Sequence, residues 1–214
     1  MDRRRDVRAT YDRIASHFAA TREFAWPEVE EFLDTVPSGE VGLDLGCGNC
    51  RHAELLANRV DRVVGIDVSR GLLEEGRERA EERGFAIELL QADAARMPLS
   101  TDAVDVAVYV ATLHHLPTRE DRVGSLDELA RVLAPDASAL VSAWSTDHDR
   151  FDAEESFDTT VAWTLPGGER VDRFYHIYDP ESFVADVEES ALELEEWRLS
   201  SGNCYATVRR PRRE

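Results

Sequence analysis

The sequence predicts an α/β fold: a mostly parallel seven-stranded sheet, helices on both faces and a C-terminal antiparallel hairpin. Two observations predict it. From residue 41 onward, short apolar runs alternate with segments of helical period, the order that builds parallel βαβ units. The last two apolar runs, 192–198 and 203–208, are instead joined by Ser200-Ser201-Gly202-Asn203, a hairpin turn.

Each element has its own signal. Val7, Tyr11, Ile14, Ala15 and Phe18 fall on one face, which predicts a helix over 7–19. A second helix follows Trp26-Pro27, with proline in its first turn. Strands are predicted at 41–45, 63–67, 86–90, 105–109 and 138–144, and helices at about 50–58, 69–83, 122–133 and 180–189. Ala134-Pro135-Asp136-Ala137 is expected to end the helix before it.

Ligands of such sheets bind at the carboxyl ends of the strands. The first strand runs through Asp44 into Gly46-Cys47-Gly48, and Asp67 closes the second strand 19 residues after Gly48. Glycine lets the backbone approach a ligand closely. A carboxylate about 20 residues further on reaches ribose hydroxyls. The dinucleotide fingerprint needs a third glycine where Arg51 stands. No phosphate-loop pattern and no lysine occur, which excludes a phosphate-loop NTPase.

The remaining pattern, Asp44-x-Gly46-x-Gly48, then Asp67, then Asp93, resembles the first three motifs of class I S-adenosylmethionine-dependent methyltransferases. The resemblance implies a Rossmann-like fold and S-adenosylmethionine as cofactor. It sets Gly46 to Gly48 against the methionine part, Asp67 on the ribose and Asp93-Ala94 beside the adenine. Tyr11, Asp44, Cys47, Asn49, Val68 and Val110 join the same cofactor site by that resemblance. The family loop often has glycine where Cys50 stands. The whole of 1–214 is expected to be one methyltransferase domain, with 1–36 a helical cap over the cofactor and 41–214 the core.

The net charge is −19, with 44 acids, 25 arginines and no lysine. An acidic balance ordinarily argues against nucleic-acid binding. Abundant acids and arginine without lysine, however, resemble the proteins of halophiles, whose acidic surfaces serve hydration. The ends are basic, +3 over 1–22 and +4 over 198–214, against −26 between them. Those ends are read either as solvated tails or as a phosphate-contacting rim. No apolar run is long enough to span a membrane and no signal peptide is evident, so a cytoplasmic location is expected. Cys47-x-x-Cys50 formally matches a metal or redox motif, but only Cys204 could join it, and no metal site is expected.

The fourth strand leads into Val110-Ala111-Thr112-Leu113-His114-His115. It lacks the Asn/Asp-Pro-Pro-aromatic loop of adenine amino-group methyltransferases, and the chain lacks the Pro-Cys nucleophile of cytosine-carbon enzymes. The acceptor is therefore expected to be an oxygen or an activated carbon.

Flanking segments narrow this. Tyr11-Asp12-x-Ile14-Ala15-x-His17-Phe18, Thr21-Arg22, Trp26-Pro27, His114-His115, Trp144, Val161-Ala162-Trp163-Thr164-Leu165-Pro166 and Arg173-Phe174-Tyr175-His176-Ile177-Tyr178 resemble the tRNA wobble-uridine carboxymethyl methyltransferases over nearly the whole chain. The long polar insertion of eukaryotic members is reduced to Gly167 to Asp172. That resemblance implies esterification of the carboxylate of 5-carboxymethyluridine in the tRNA anticodon loop. A carboxylic acid with a pKa of about 4 is already ionised at neutral pH, so no general base is needed. Arg22 and Arg173 would clamp the carboxylate bidentately, and His115 would add a hydrogen bond. Trp26, Trp144 and Tyr175 would stack on bases, and His176 would line the site. Of His114 and His115, one is expected to be structural. The apolar stretch 85–90 is expected to be a sheet edge that receives another chain. The partner implied by the resemblance is a small zinc-binding methyltransferase activator. Two alternatives remain open: a small-molecule methyltransferase, and a non-catalytic module that binds S-adenosylmethionine.

Overall fold

The computed structural model describes residues 3–212. Helix α1 (Arg3–Ala19) and helix α2 (Pro27–Thr35) precede the sheet. Strand β1 (Gly39–Leu45), helix α3 (Ala53–Leu56), β2 (Val60–Asp67), α4 (Arg70–Arg83), β3 (Glu88–Gln91), β4 (Val104–Tyr109), α5 (Arg119–Val132) and β5 (Leu133–Trp144) follow in alternation. Then come β6 (Phe157–Thr164), β7 (Arg170–Ile177), α6 (Pro180–Glu189), β8 (Glu193–Ser200) and β9 (Asn203–Arg209). The main sheet has the order β3-β2-β1-β4-β5-β9-β8. Strands β1 to β5 pair in parallel, and β9 is antiparallel to both neighbours. The order reverses between β1 and β4, the switch point at which such sheets bind ligands.

Two buried layers cover the sheet faces. Leu126, Leu129, Phe183 and Val187 bring α5 and α6 onto one face. Val29, Phe32, Leu56 and Leu73 bring α2, α3 and α4 onto the other. Helix α1 buries Tyr11, Ile14 and Ala15 against Leu72 of α4 and Val171 of β7.

Four local expectations are corrected. The helix expected over 50–58 is only Ala53–Leu56, because Cys50 adopts φ +62 and turns the chain before a helix can start. The third strand begins at Glu88 rather than 86. Gly84 ends α4 in the left-handed conformation, and Phe85 N donates back to Ala80 O. Helix α5 starts at Arg119, since the Thr118 side chain caps it by accepting from Asp121 N. The supposed breaker at 134–137 lies inside β5 as a bulge, where Asp136 has φ +66 and the β4 register shifts. Strands β6 and β7, a separate antiparallel pair, had no expectation at all. Residues such as Asp158, Thr160 and Arg170 keep that hairpin too polar for an apolar-run signal. At the C-terminal hairpin, Ser201 and Gly202 both have positive φ, as a two-residue turn between twisted strands requires.

Candidate active site

A cavity of about 510 Å³ opens over the carboxyl ends of β1, β2, β4 and β5, with a smaller pocket of about 80 Å³ adjoining it. Gly46, Asp67, Val68, Thr112 and His115 line both. The glycine loop is shaped by its neighbours. Gly46 N and Cys47 N both donate to Ile66 O, at 2.7 and 3.0 Å. Gly46 sits at φ +72, and a Cβ there would lie 2.1 Å from Thr112 Oγ1, so no other residue fits. Gly48 N donates to Asp67 Oδ2 at 2.9 Å and Ser69 N to Oδ1 at 2.8 Å. One carboxylate thus ties the loop to the start of α4 and still has lone pairs toward the cavity. Burial pushes Asp67 up to about 6.

The expected cofactor residues divide into three groups. Tyr11, Gly46, Cys47, Gly48, Asn49, Asp67, Val68 and Val110 line the larger cavity. Asp93 and Ala94 line the smaller one, where Arg4 of α1 donates to Asp93 Oδ2 at 2.8 Å. Asp44 lines neither. It lies 1% exposed behind the loop, and its Oδ2 accepts from Ala53 N at 2.9 Å, holding the start of α3. Burial raises it to about 7.

On the acceptor side Arg22, Trp26, His115, Trp144 and Tyr175 line the cavity. Trp144 is boxed by the rings of His148, Phe151 and Tyr175, each about 5 Å away. Arg173 is buried behind this lining, its guanidinium 4.8 Å from the Trp163 ring and 5.2 Å from the Tyr175 ring. Arg22 lies over Phe18 at 4.5 Å and over the same Trp163 at 5.6 Å. His176 does not reach the site. Successive strand residues face opposite ways, so it points away from Arg173 and Tyr175, and its Nδ1 pairs with Asp158 at 2.8 Å.

The two histidines differ in what they leave free, and His115, expected to add a hydrogen bond to the acceptor, is the one with both nitrogens engaged. His115 Nδ1 lies 3.0 Å from Phe174 O, so it must donate there. Its Nε2 then accepts from the Tyr11 hydroxyl at 2.8 Å. Burial lowers His115 to about 3, so the ring is neutral with both nitrogens engaged. His114 also lines the cavity. Its Nδ1 accepts from Trp144 N at 2.8 Å, which places the proton on Nε2. That N–H makes no hydrogen bond with the described residues. Burial holds His114 well below the usual histidine value, so it is a fixed neutral donor.

The charge pattern singles out three cations. Among the described arginines withdrawn from solvent, Arg22, Arg51 and Arg173 alone make no ion pair with a carboxylate; Arg4, Arg79, Arg122, Arg131 and the others do. Arg22 and Arg51 line the cavity. Burial lowers both, Arg51 to about 10, with Arg22 adding to that by repulsion. Desolvated, mutually repelling guanidiniums are relieved by an anion. Described arginines of the basic termini lie beside the chain's own acids. Arg3, Arg8, Arg13, Arg198, Arg209 and Arg212 are paired with acids, and residues 1–2 and 213–214 lie outside the described residues. Arg51 and His114 were not among the expected site residues. Adjacency to the glycine loop was the sequence signal for Arg51, and His114 stood in the His114-His115 segment of the resemblance.

A family model described as a methyltransferase domain matches residues 43–141. The chain is 30% identical over 163 residues to the tRNA (carboxymethyluridine(34)-5-O)-methyltransferase of Schizosaccharomyces pombe, covering 74% of this chain and 68% of that protein. It is 36% identical over 143 residues to the mouse protein named tRNA (carboxymethyluridine(34)-5-O)-methyltransferase ALKBH8, covering 67% of this chain and 20% of that one. The chain therefore spans a fifth of the mouse relative's length. Two solved structures share the fold. A complex between the Haloferax volcanii Trm112 methyltransferase activator and a putative methyltransferase superposes with a TM-score of 0.73 at 14% identity, over 97% of this chain and 99% of that one. The DhpI–SAH complex gives a TM-score of 0.72 at 21% identity, over 98% and 97%.

Proposed function

The chain belongs to the methyltransferase family whose curated members are named tRNA (carboxymethyluridine(34)-5-O)-methyltransferase, and on that premise we propose that it esterifies the carboxylate of 5-carboxymethyluridine at the tRNA wobble position. The observation that carries this reading is the pair of carboxylate-free arginines, Arg22 and Arg173, beside the fixed N–H donor of His114. An anionic acceptor needs cations to hold it and no base to deprotonate it.

The cofactor of the family is S-adenosylmethionine, and the residues present fit it. The Gly46–Gly48 loop would take the methionine part, Asp67 the ribose hydroxyls, and the pocket at Asp93-Ala94 the adenine. When bound, it supplies a methyl carbon on a sulfonium, and an acceptor oxygen displaces the sulfur, which keeps the bonding pair. Arg22 and His114 orient the acceptor carboxylate so that one oxygen is free to attack. Arg173 raises the local positive potential from behind. Trp144 and Tyr175 bound the uracil ring. Helix α1 closes over the adenine end, fastened there by Arg4 to Asp93 and Asp121.

Strand β3 is one edge of the main sheet, with Leu89 and Leu90 only partly covered. It is the docking place for a small zinc-binding activator, a reading supported by the activator-bound structure that shares this fold. Among the described residues no helix is long and apolar enough to cross a membrane. A cytoplasmic, high-salt setting suits that and the acidic surface. Insolubility of the chain alone, cured by co-expression with an activator, supports the edge; a soluble, active monomer removes it.

The deciding experiment incubates the purified protein with labelled S-adenosylmethionine and total tRNA, then digests to nucleosides. A methyl ester of carboxymethyluridine is expected, and its absence overturns the reading. A second reading is a small free carboxylic acid as acceptor. The pairing of the terminal arginines with the chain's own acids favours it. Labelled ester from a metabolite extract and none from tRNA would select it.

A further inference from the structure

One end of the cavity is left over once cofactor and target carboxylate are placed. It is walled by Trp26 and Glu28 of the α2 entry, Arg51 and His52 before α3, and Tyr205 of β9. The Trp26 ring makes edge contacts with Tyr205 at 6.4 Å and with His52 at 6.1 Å. The Arg51 guanidinium lies 5.1 Å from the Trp26 ring, and its Nη1 donates to Phe24 O at 3.3 Å. Arg51 has no carboxylate partner although it is drawn out of solvent, which is unusual for a cation in a chain of net charge −19. Arg22 is the arginine tied to the glycine loop, through Asn49 Nδ2 donating to Arg22 O at 3.0 Å. The Arg51 guanidinium instead lies against Trp26, whose ring also contacts Tyr205 of β9. Glu28 is 8% exposed and accepts from Ser200 Oγ, with acceptor capacity remaining.

We propose that this end is a second nucleotide subsite, in which Arg51 holds the phosphodiester adjoining the target nucleoside and Glu28 accepts a hydroxyl of the neighbouring ribose. The inference rests on the RNA reading above. A guanidinium free of internal acids is what a phosphate requires. The buried Glu28 carboxylate on the same wall is not ion-paired to Arg51; it repels phosphate but suits a sugar hydroxyl, the group that distinguishes RNA from DNA. The apolar faces of Trp26 and Tyr205 suit the attached base. With the terminal arginines paired to acids, the phosphate-binding charge lies inside the cavity rather than around its rim.

The test uses the full chain and direct binding, read apart from turnover. Anticodon stem-loops with 5-carboxymethyluridine are titrated into wild type, Arg51→Ala and Arg51→Lys. S-adenosylhomocysteine is titrated in parallel. The alanine variant is expected to bind the stem-loop about tenfold more weakly, with the slope of log affinity against log salt reduced by about one. The lysine variant keeps the slope, and S-adenosylhomocysteine affinity is unchanged. A stem-loop with a single 2′-deoxy nucleotide beside the target is expected to bind wild type more weakly than the all-ribose stem-loop, and to bind Glu28→Ala as the all-ribose stem-loop does. Unchanged stem-loop binding by Arg51→Ala, or an equal loss of S-adenosylhomocysteine affinity, overturns the subsite. A wild type that binds the stem-loop with these dependences but forms no ester leaves the subsite standing and removes the proposed reaction. A wild type that binds no stem-loop removes both.

Discussion

At the β1–β2 end of the cavity, the lining comes from two short neighbouring segments. Gly46 to Asn49 and Asp67-Val68 are held together by backbone hydrogen bonds to Ile66 O and to the Asp67 carboxylate. At the β5–β9 end, the lining comes from side chains of distant parts: Arg22 after α1, Trp26 before α2, His114 after β4, Trp144 on β5, and Tyr175 on β7. The first end presents backbone and one acid; the second presents cations and rings. The difference suits the ligands. The cofactor is invariant across a large family and can be gripped by backbone, whereas the acceptor varies and is read by replaceable side chains.

The sharpest way to break this division is Arg22→Ala. Turnover is expected to fall about 100-fold or more, as for loss of a charge-assisted contact worth about 3 kcal/mol. The circular dichroism spectrum and S-adenosylhomocysteine affinity should hold. A parallel loss of S-adenosylhomocysteine affinity would move Arg22 to the cofactor end. Next is Asp67→Ala, expected to weaken S-adenosylhomocysteine by about tenfold to about 100-fold, a loss of about 1.5 to 3 kcal/mol. Isothermal titration should show it while stem-loop binding stays constant.

The pH dependence sharpens the same contrast. Asp67 has its value raised by burial to about 6, so protonation on acidification through that value removes an acceptor for ribose hydroxyls. Cofactor affinity should therefore fall as pH drops through about 6, with Asp44, raised to about 7 behind the loop, the other carboxylate that titrates nearby. His114 and His115 stay neutral throughout, so the acceptor end adds no titration in that window. An Asp67→Asn variant should lose the acid limb; its persistence would assign the limb elsewhere. The smallest effect is expected for Tyr11→Phe. Removing the hydroxyl leaves His115 Nε2 unpartnered and should cost about 1 kcal/mol in a urea unfolding curve.

Legibility follows the same line. The strand-to-loop run at 41–48 and Asp67 were readable because their geometry is local, set by glycine and by strand ends in register. Asp44 was misread because a carboxylate at a loop entry serves a helix start as readily as a ligand. Which of His114 and His115 has a free N–H was not legible, because the tautomer of each ring depends on Phe174 O and Trp144 N, which come from other strands. The basic ends were ambiguous in sequence, and only spatial proximity to Asp136, Glu193 and Glu31 showed them to be paired internally.

By itself the sequence determined the alternating α/β order, the cofactor loop and the family resemblance, because periodicity and short motifs encode local geometry. The tertiary structure decided the rest: the β6–β7 hairpin that places Arg173, the tautomers of His114 and His115, and the placing of Arg22, Arg51 and Arg173 at or behind one cavity with no carboxylate ion-paired to any of them. Pairing partners and desolvation are properties of residues far apart in the chain, and only folding brings them within interaction distance.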